Sequence, residues 1–220
     1  GRCRSPRSTP PENREYAALT APETGQSPGP SYPPLGRSFK NRYPFSLACP
    51  SFIYPDHILP NVRMLADFLD EIEVLIFESA PARHLPPAGD IREMAAIGTD
   101  RALRYNVHLP VDVNIAHPDA AQRTDGLERM LAAIDRVRPL CPTTWTLHLP
   151  FEEQRTDAGA IGQWQERALG AADTLLNRSG LAPRSVSLEN LDYPLHWLDP
   201  VIQALDFSVC LDIGHLMEHG

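Results

Sequence analysis

The feature that most constrains this chain is an alternation. From Tyr43 onward, short β-rich runs are separated by longer amphipathic segments, six times over. The strand-like runs are Phe45–Ser51, Ile72–Glu78, Arg104–Pro110, Thr144–Pro150, Ser185–Leu191 and Phe207–Ile213. They are apolar on both faces, which is the mark of parallel strands covered by helices. Between them lie helix candidates. Leu59–Leu69 puts Val62, Leu65, Ala66 and Leu69 on one face, and Gly126–Leu140 does the same with Leu127, Met130, Leu131 and Ile134. Asp90 and Asp157 are placed to cap the segments that follow them, and Pro200 suits the first turn of Asp199–Leu205.

Two folds share this rhythm, a doubly wound sheet and a (β/α)8 barrel. The polar residues separate them. The second strand ends in Glu78, the third in His108, the fourth in His148. The fifth ends in Glu189 and Asn190, the sixth in Asp212 with His215 after it. A doubly wound sheet gathers ligands at one switch point, whereas every strand of a barrel delivers its carboxyl end to one central site. The expected fold is therefore an α/β TIM barrel spanning residues 42–220.

Residues 1–41 differ in kind. They are rich in Pro, Ser, Gly and charge and show no apolar period, so they read as a disordered Pro-rich leader. The net charge of −8 argues against nucleic acid, whose phosphates call for clustered Lys and Arg, and leaves a small-molecule substrate as the expected partner. No apolar stretch approaches a membrane span. Cys3, Cys49, Cys141 and Cys210 form no C-x-x-C pair, and reduced thiols in a cytoplasmic protein are expected.

A lone strand-end histidine is more often a hydrogen-bonded structural residue than a ligand. Five strand ends that coincide are harder to set aside. His108, His148, Glu189, Asp212 and His215 form a borderline-hard set without Cys, suited to a divalent metal, zinc first and manganese second. Pro110 and Pro150 end the repeated HLP of strands three and four and so hold both histidines at the rim. Glu189 has two oxygens with which to bridge ions, and Gly214 permits a tight turn between Asp212 and His215. Glu78 is evenly balanced between a catalytic residue and a rim carboxylate. Asn190 is a candidate substrate contact. Asp112 and Asn114 carry low weight as loop residues, and His57, His84, His117, His196 and His219 read as solvated.

The stretches NVHLP, TLHLP, SLENL and CLDIGH resemble the metal-ligand strand ends of the xylose-isomerase-like TIM barrels, a superfamily of sugar-phosphate isomerases and epimerases and type IV apurinic endonucleases. The resemblance covers about residues 44 to 216. It implies His108, His148, Glu189, Asp212 and His215 as ligands of a metal cluster. PSFIYPDHILPNVRMLADFLDEIEVLIFES and YNVHLPVDVNI further resemble the cobamide-remodelling phosphodiesterases of that superfamily. That implies hydrolysis of the nucleotide loop of an adenosylcobalamin-type cobamide to a cobinamide phosphate. Only six strands of such a barrel are present, so a truncated sequence is expected, one that lacks the ligands of the last two strands. Sugar isomerisation or epimerisation, with Glu189 as one acid/base, is the alternative. An inactive fragment or a binder without catalysis is the third reading.

Overall fold

The computed structural model describes residues 33–80 and 85–219. Six strands alternate with helices: β1 (Ala48–Pro50), α1 (Ile58–Leu65), β2 (Glu71–Leu75), α2 (Ala88–Arg101), β3 (Arg104–His108), α3 (Ala120–Val137), β4 (Trp145–Leu147), α4 (Ala158–Ser179), β5 (Val186–Glu189), α5 (Asp199–Leu205), β6 (Ser208–Cys210) and α6 (Ile213–His219). All neighbouring strands pair in parallel, in the order β1-β2-β3-β4-β5-β6. A doubly wound sheet reverses its strand order at a switch point, and this one does not. Six consecutive β/α units of a barrel are what the topology describes.

The strands separate two environments by parity. Ile72 and Val74, Tyr105 and Val107, Trp145 and Leu147, Val186 and Leu188 are all buried. They meet a helix layer whose equally buried residues include Val62, Leu65, Met94, Met130, Ile134 and Leu175. Each large side chain so buried contributes about 1.5–3 kcal/mol. The alternate residues, Glu73, Leu75, His108, His148, Glu189 and Cys210 among them, line the opposite face. Register preserves that parity: His108 pairs with Thr146, Thr146 with Ser187, and Glu189 with Cys210. Each step from one polar strand end to the next is thus an even number of residues, and all of them stay on one face.

Local chemistry sets the element ends. Asp157 accepts from the backbone N–H of Gly159 (3.0 Å) and Ala160 (3.1 Å) and caps α4 as expected. Asp90 does not cap α2: Pro87 holds the cap position, and Asp90 lies within the first turn. Helix α3 begins at Ala120, six residues before the expected Gly126, because Asp119 accepts from Gln122 N at 2.9 Å. Gly126 is then an interior position where the β3–α3 loop comes close. A Cβ there would lie 3.4 Å from Asn114 O. The buried Asn61 accepts from Tyr54 N (2.8 Å) and donates to Tyr54 O (3.1 Å) and His57 O (3.0 Å), pinning the β1–α1 loop.

The expected disordered leader falls, over residues 1–32, outside the described residues. Its last part, 33–41, is seated on the core. Phe39 N donates to Phe68 O (2.8 Å), Lys40 Nζ to Ala66 O (2.9 Å) and Asn41 N to Asp70 (2.7 Å). Cys49 and Cys210 are free, and burial raises both thiols to about 11, consistent with packing rather than catalysis. No described helix is long and apolar enough to cross a membrane.

Candidate metal centre

Strands β3, β4 and β5 bring three polar side chains to one point. His108 Nε2 lies 3.1 Å from His148 Nε2 and 3.2 Å from Glu189 Oε2, and His148 Nε2 lies 3.2 Å from the same oxygen. Three ligand atoms around one tetrahedral ion at roughly 2.0–2.1 Å are separated by about 3.3 Å. The nearly equilateral triangle matches that spacing. His108 and Glu189 are buried, and the rings of His108 and His148 stand edge to face, 4.6 Å between centres.

The other oxygen of Glu189 faces a second group. His215 Nδ1 is 3.5 Å from Glu189 Oε1, and Glu189, Asp212 and His215 can offer ligand atoms all within 4.8 Å of one another. One carboxylate therefore divides its two oxygens between two potential ligand sets. The donor chemistry, neutral imidazoles with carboxylates and no thiolate, is that of a divalent-metal site.

A supporting layer holds these groups. His108 Nδ1 lies 2.9 Å from Leu109 O and His215 Nδ1 lies 2.8 Å from Asn190 O. Such contacts fix the tautomer and orientation of ligating histidines. Asn190 is 1% exposed; its side chain accepts from Asp212 N (2.7 Å) and donates to Asp212 O (3.1 Å). Both ends of its amide are thus committed to the backbone just after β6. Asp212 Oδ1 accepts from Gly214 N (2.6 Å) and His215 N (3.1 Å), turning the chain into α6 with Oδ2 outside those bonds. Gly214 does not have a positive φ. What it provides is clearance, since a Cβ there would stand 2.9 Å from Asp212 Oδ1.

The electrostatics follow from this crowding. Burial would raise Glu189, but hydrogen bonds from His108 and His148 outweigh it and hold the carboxyl at about 2. Burial would lower His108, but Glu189 and the Leu109 carbonyl outweigh it and raise its pKa.

His108, His148, Glu189, Asp212 and His215 line one hollow of about 630 Å³. Glu78 does not join them. Strand β2 ends at Leu75, and Glu78, exposed, lines an adjacent hollow of about 270 Å³ with Ser51, Phe52 and His57. Phe52 borders both hollows. Sequence reasoning passed over Glu73, which lines the metal hollow from the middle of β2. Burial raises its pKa and His108 opposes that, while Glu189 and Asp212 add to the rise. The alternation of Glu71 and Glu73 with Ile72 and Val74 puts both carboxylates on one face, and that signal is readable once the face is known to be the open one. His57 and His196 are exposed as expected, whereas His117 faces Glu152 at 3.3 Å and is only 19% exposed in its side chain. His84 lies outside the described residues, as does the side chain of His219.

A parallel β/α barrel with a His/Glu/Asp cluster at its strand ends is the class these features define. The sequence matches no protein-family model and no curated protein. Solved structures share the fold of six consecutive parallel β/α units. A D-tagatose 3-epimerase-like protein matches with a TM-score of 0.60 at 14% identity, over 78% of this chain and 66% of its own. The TTHB071 protein from Thermus thermophilus, in a structure soaked with ZnCl2, matches at 0.54 and 24% identity over 77% and 66%. Endonuclease IV from the same organism matches at 0.53 and 14% over 76% and 62%. The chain thus spans about two thirds or less of the length of these structures.

Proposed function

We propose that this site is a two-ion centre, zinc first and manganese second, that hydrolyses a phosphodiester, and that the substrate is the nucleotide loop of an adenosylcobalamin-type cobamide, cleaved to a cobinamide phosphate. The observation that carries the hydrolytic reading is the division of Glu189's two oxygens between His108–His148 and Asp212–His215. In-line displacement at phosphorus is served by two ions that stabilise the attacking and leaving oxygens together. The corrinoid is supported by the sequence resemblance alone.

What such ions supply when bound is Lewis acidity toward phosphoryl oxygens and a nucleophilic water near neutral pH. The chain supplies the rest. Glu189, ionised far below neutrality, holds both ligand sets together. Asn190 acts as a positioning residue that sets the height of Asp212 and the ring plane of His215, in place of the substrate contact expected from sequence. Glu73 faces the same hollow and is the nearer candidate for moving a proton, while Glu78 reaches the substrate from the adjoining hollow beyond Phe52.

A second reading, ketose isomerisation or epimerisation, is favoured by the names of the structural neighbours, several of which are epimerases. Glu189 then acts as an acid/base beside a single ion. Incubation of the zinc- or manganese-loaded protein with adenosylcobalamin, scored for cobinamide phosphate, and in parallel with ketohexoses, scored for epimers, decides between them. Corrinoid cleavage supports the first reading. Epimers without cleavage select the second.

A further inference from the structure

Beside the metal hollow lies another of about 610 Å³, between the β3–α3 and β4–α4 loops and the start of α3. Val111, exposed at 38%, lines both, so the two hollows adjoin at that side chain. The loops that form it leave the strands that carry His108 and His148. A group seated there is held at a fixed offset from the metal ligands.

The walls are organised in advance. Asn114 Nδ2 donates to Pro150 O (3.2 Å) and its Oδ1 accepts from Ala116 N (2.8 Å), tying the two loops together. Asp112 accepts from both Ser79 N (3.1 Å) and Ser79 Oγ (3.1 Å), and pairs with Arg129. Arg129 also reaches Asp125 at 3.5 Å. The only arginine among the described lining residues is therefore already matched by carboxylates. Against it stand Asp112, Asp125 and Glu152, with His117 beside Glu152. A phosphate or carboxylate entering here would meet uncompensated negative charge. The Gln122 side-chain amide, exposed in the same wall, has no hydrogen-bond partner among the described residues.

We infer that this hollow is the subsite for the part of the substrate beyond the reacting phosphate, and that it takes an uncharged group rich in hydrogen-bond donors, hydroxyl or primary amide. Asp125, Glu152 and Gln122 receive it, and the inner hollow keeps the anionic portion. The inference rests on the hydrolytic reading for what lies in the inner hollow, but not for the chemistry of the outer one. A corrin ring, whose edge carries neutral amide arms, fits that chemistry.

Cobinamide is the probe, because it keeps the amide arms and lacks the nucleotide phosphodiester. Its binding is measured by calorimetry on the metal-loaded protein, the metal-free protein and two sets of variants. Cobinamide is expected to bind with or without metal. Gln122→Ala with Asp125→Ala weakens it about tenfold or more, the loss of hydrogen bonds to a charged acceptor, while metal content stays at the wild-type level. His108→Ala loses metal and keeps cobinamide affinity. Inorganic phosphate does not compete. Absence of cobinamide binding to the wild-type protein, an effect of the double variant below twofold, dependence on His108, or displacement by phosphate would each overturn the subsite. Cleavage of adenosylcobalamin without cobinamide binding sinks the subsite and leaves the hydrolytic reading standing. Cobinamide binding with the predicted losses but no cleavage does the reverse.

Discussion

At the scale of single residues, Glu189 and Asn190 do different work from adjacent positions. Glu189 points inward and joins two ligand sets; Asn190 points along the wall and fixes the chain after β6. Removing the Asn190 amide in Asn190→Ala leaves the ligands present but loosely aimed. Metal affinity is expected to fall about 10–100-fold, the usual cost of losing an outer-shell partner, as read by competition with a chromophoric chelator. Acid acts on the same cluster. Glu189 has a depressed pKa, so its contribution to stability is present above the ordinary carboxylate range and is lost as pH falls through about 2. His108 has a raised pKa, so in the metal-free protein its contribution is present below the ordinary histidine range and is lost as pH rises through the raised value. Metal needs that nitrogen unprotonated. Zinc affinity, followed by titration from about pH 5 to 8, should therefore rise steadily with pH, and a flat profile would show that His108 is not a ligand.

At the scale of elements, the sequence was legible where period and strand ends carry the information. Each of the six strands lies inside the run read from its β-rich pattern or begins one residue before it, most stopping two or three residues short of its end, and the five metal-competent residues line one hollow. What was not legible shares a cause: it depends on where a strand stops or what lies opposite it. Strand β2 loses its ladder after Leu75, which strands Glu78 in the next hollow, and nothing in IEVLIFE marks that point. Glu73 was overlooked because a mid-strand carboxylate is legible only once its face is known to be the open one. The caps divide in the same way. Asp157 and Asp119 each precede their helix and bond its free N–H groups, while Asp90 sits three residues beyond its cap. Asp157→Ala should cost about 0.5–2 kcal/mol in urea unfolding, and Asp90→Ala much less. Equal losses would contradict the assignment of the caps.

At the scale of the whole molecule, six parallel units place every strand's carboxyl end on one rim, and the two hollows open side by side on that rim. This is how a barrel lets loops change while the frame stays. Metal bound to the folded state alone stabilises it by mass action, so a chelator should lower the melting temperature of the metal-loaded protein by several degrees, and the Glu189→Gln variant should show no such shift. The most direct test of the shared carboxylate is the zinc stoichiometry of four proteins by equilibrium dialysis and elemental analysis. Wild type is expected to hold two ions, in keeping with the two ligand groups. His148→Ala and Asp212→Ala should each lose one, and Glu189→Gln both. Full occupancy in Glu189→Gln, or a single ion lost in common by the other two variants, would contradict a centre built around Glu189.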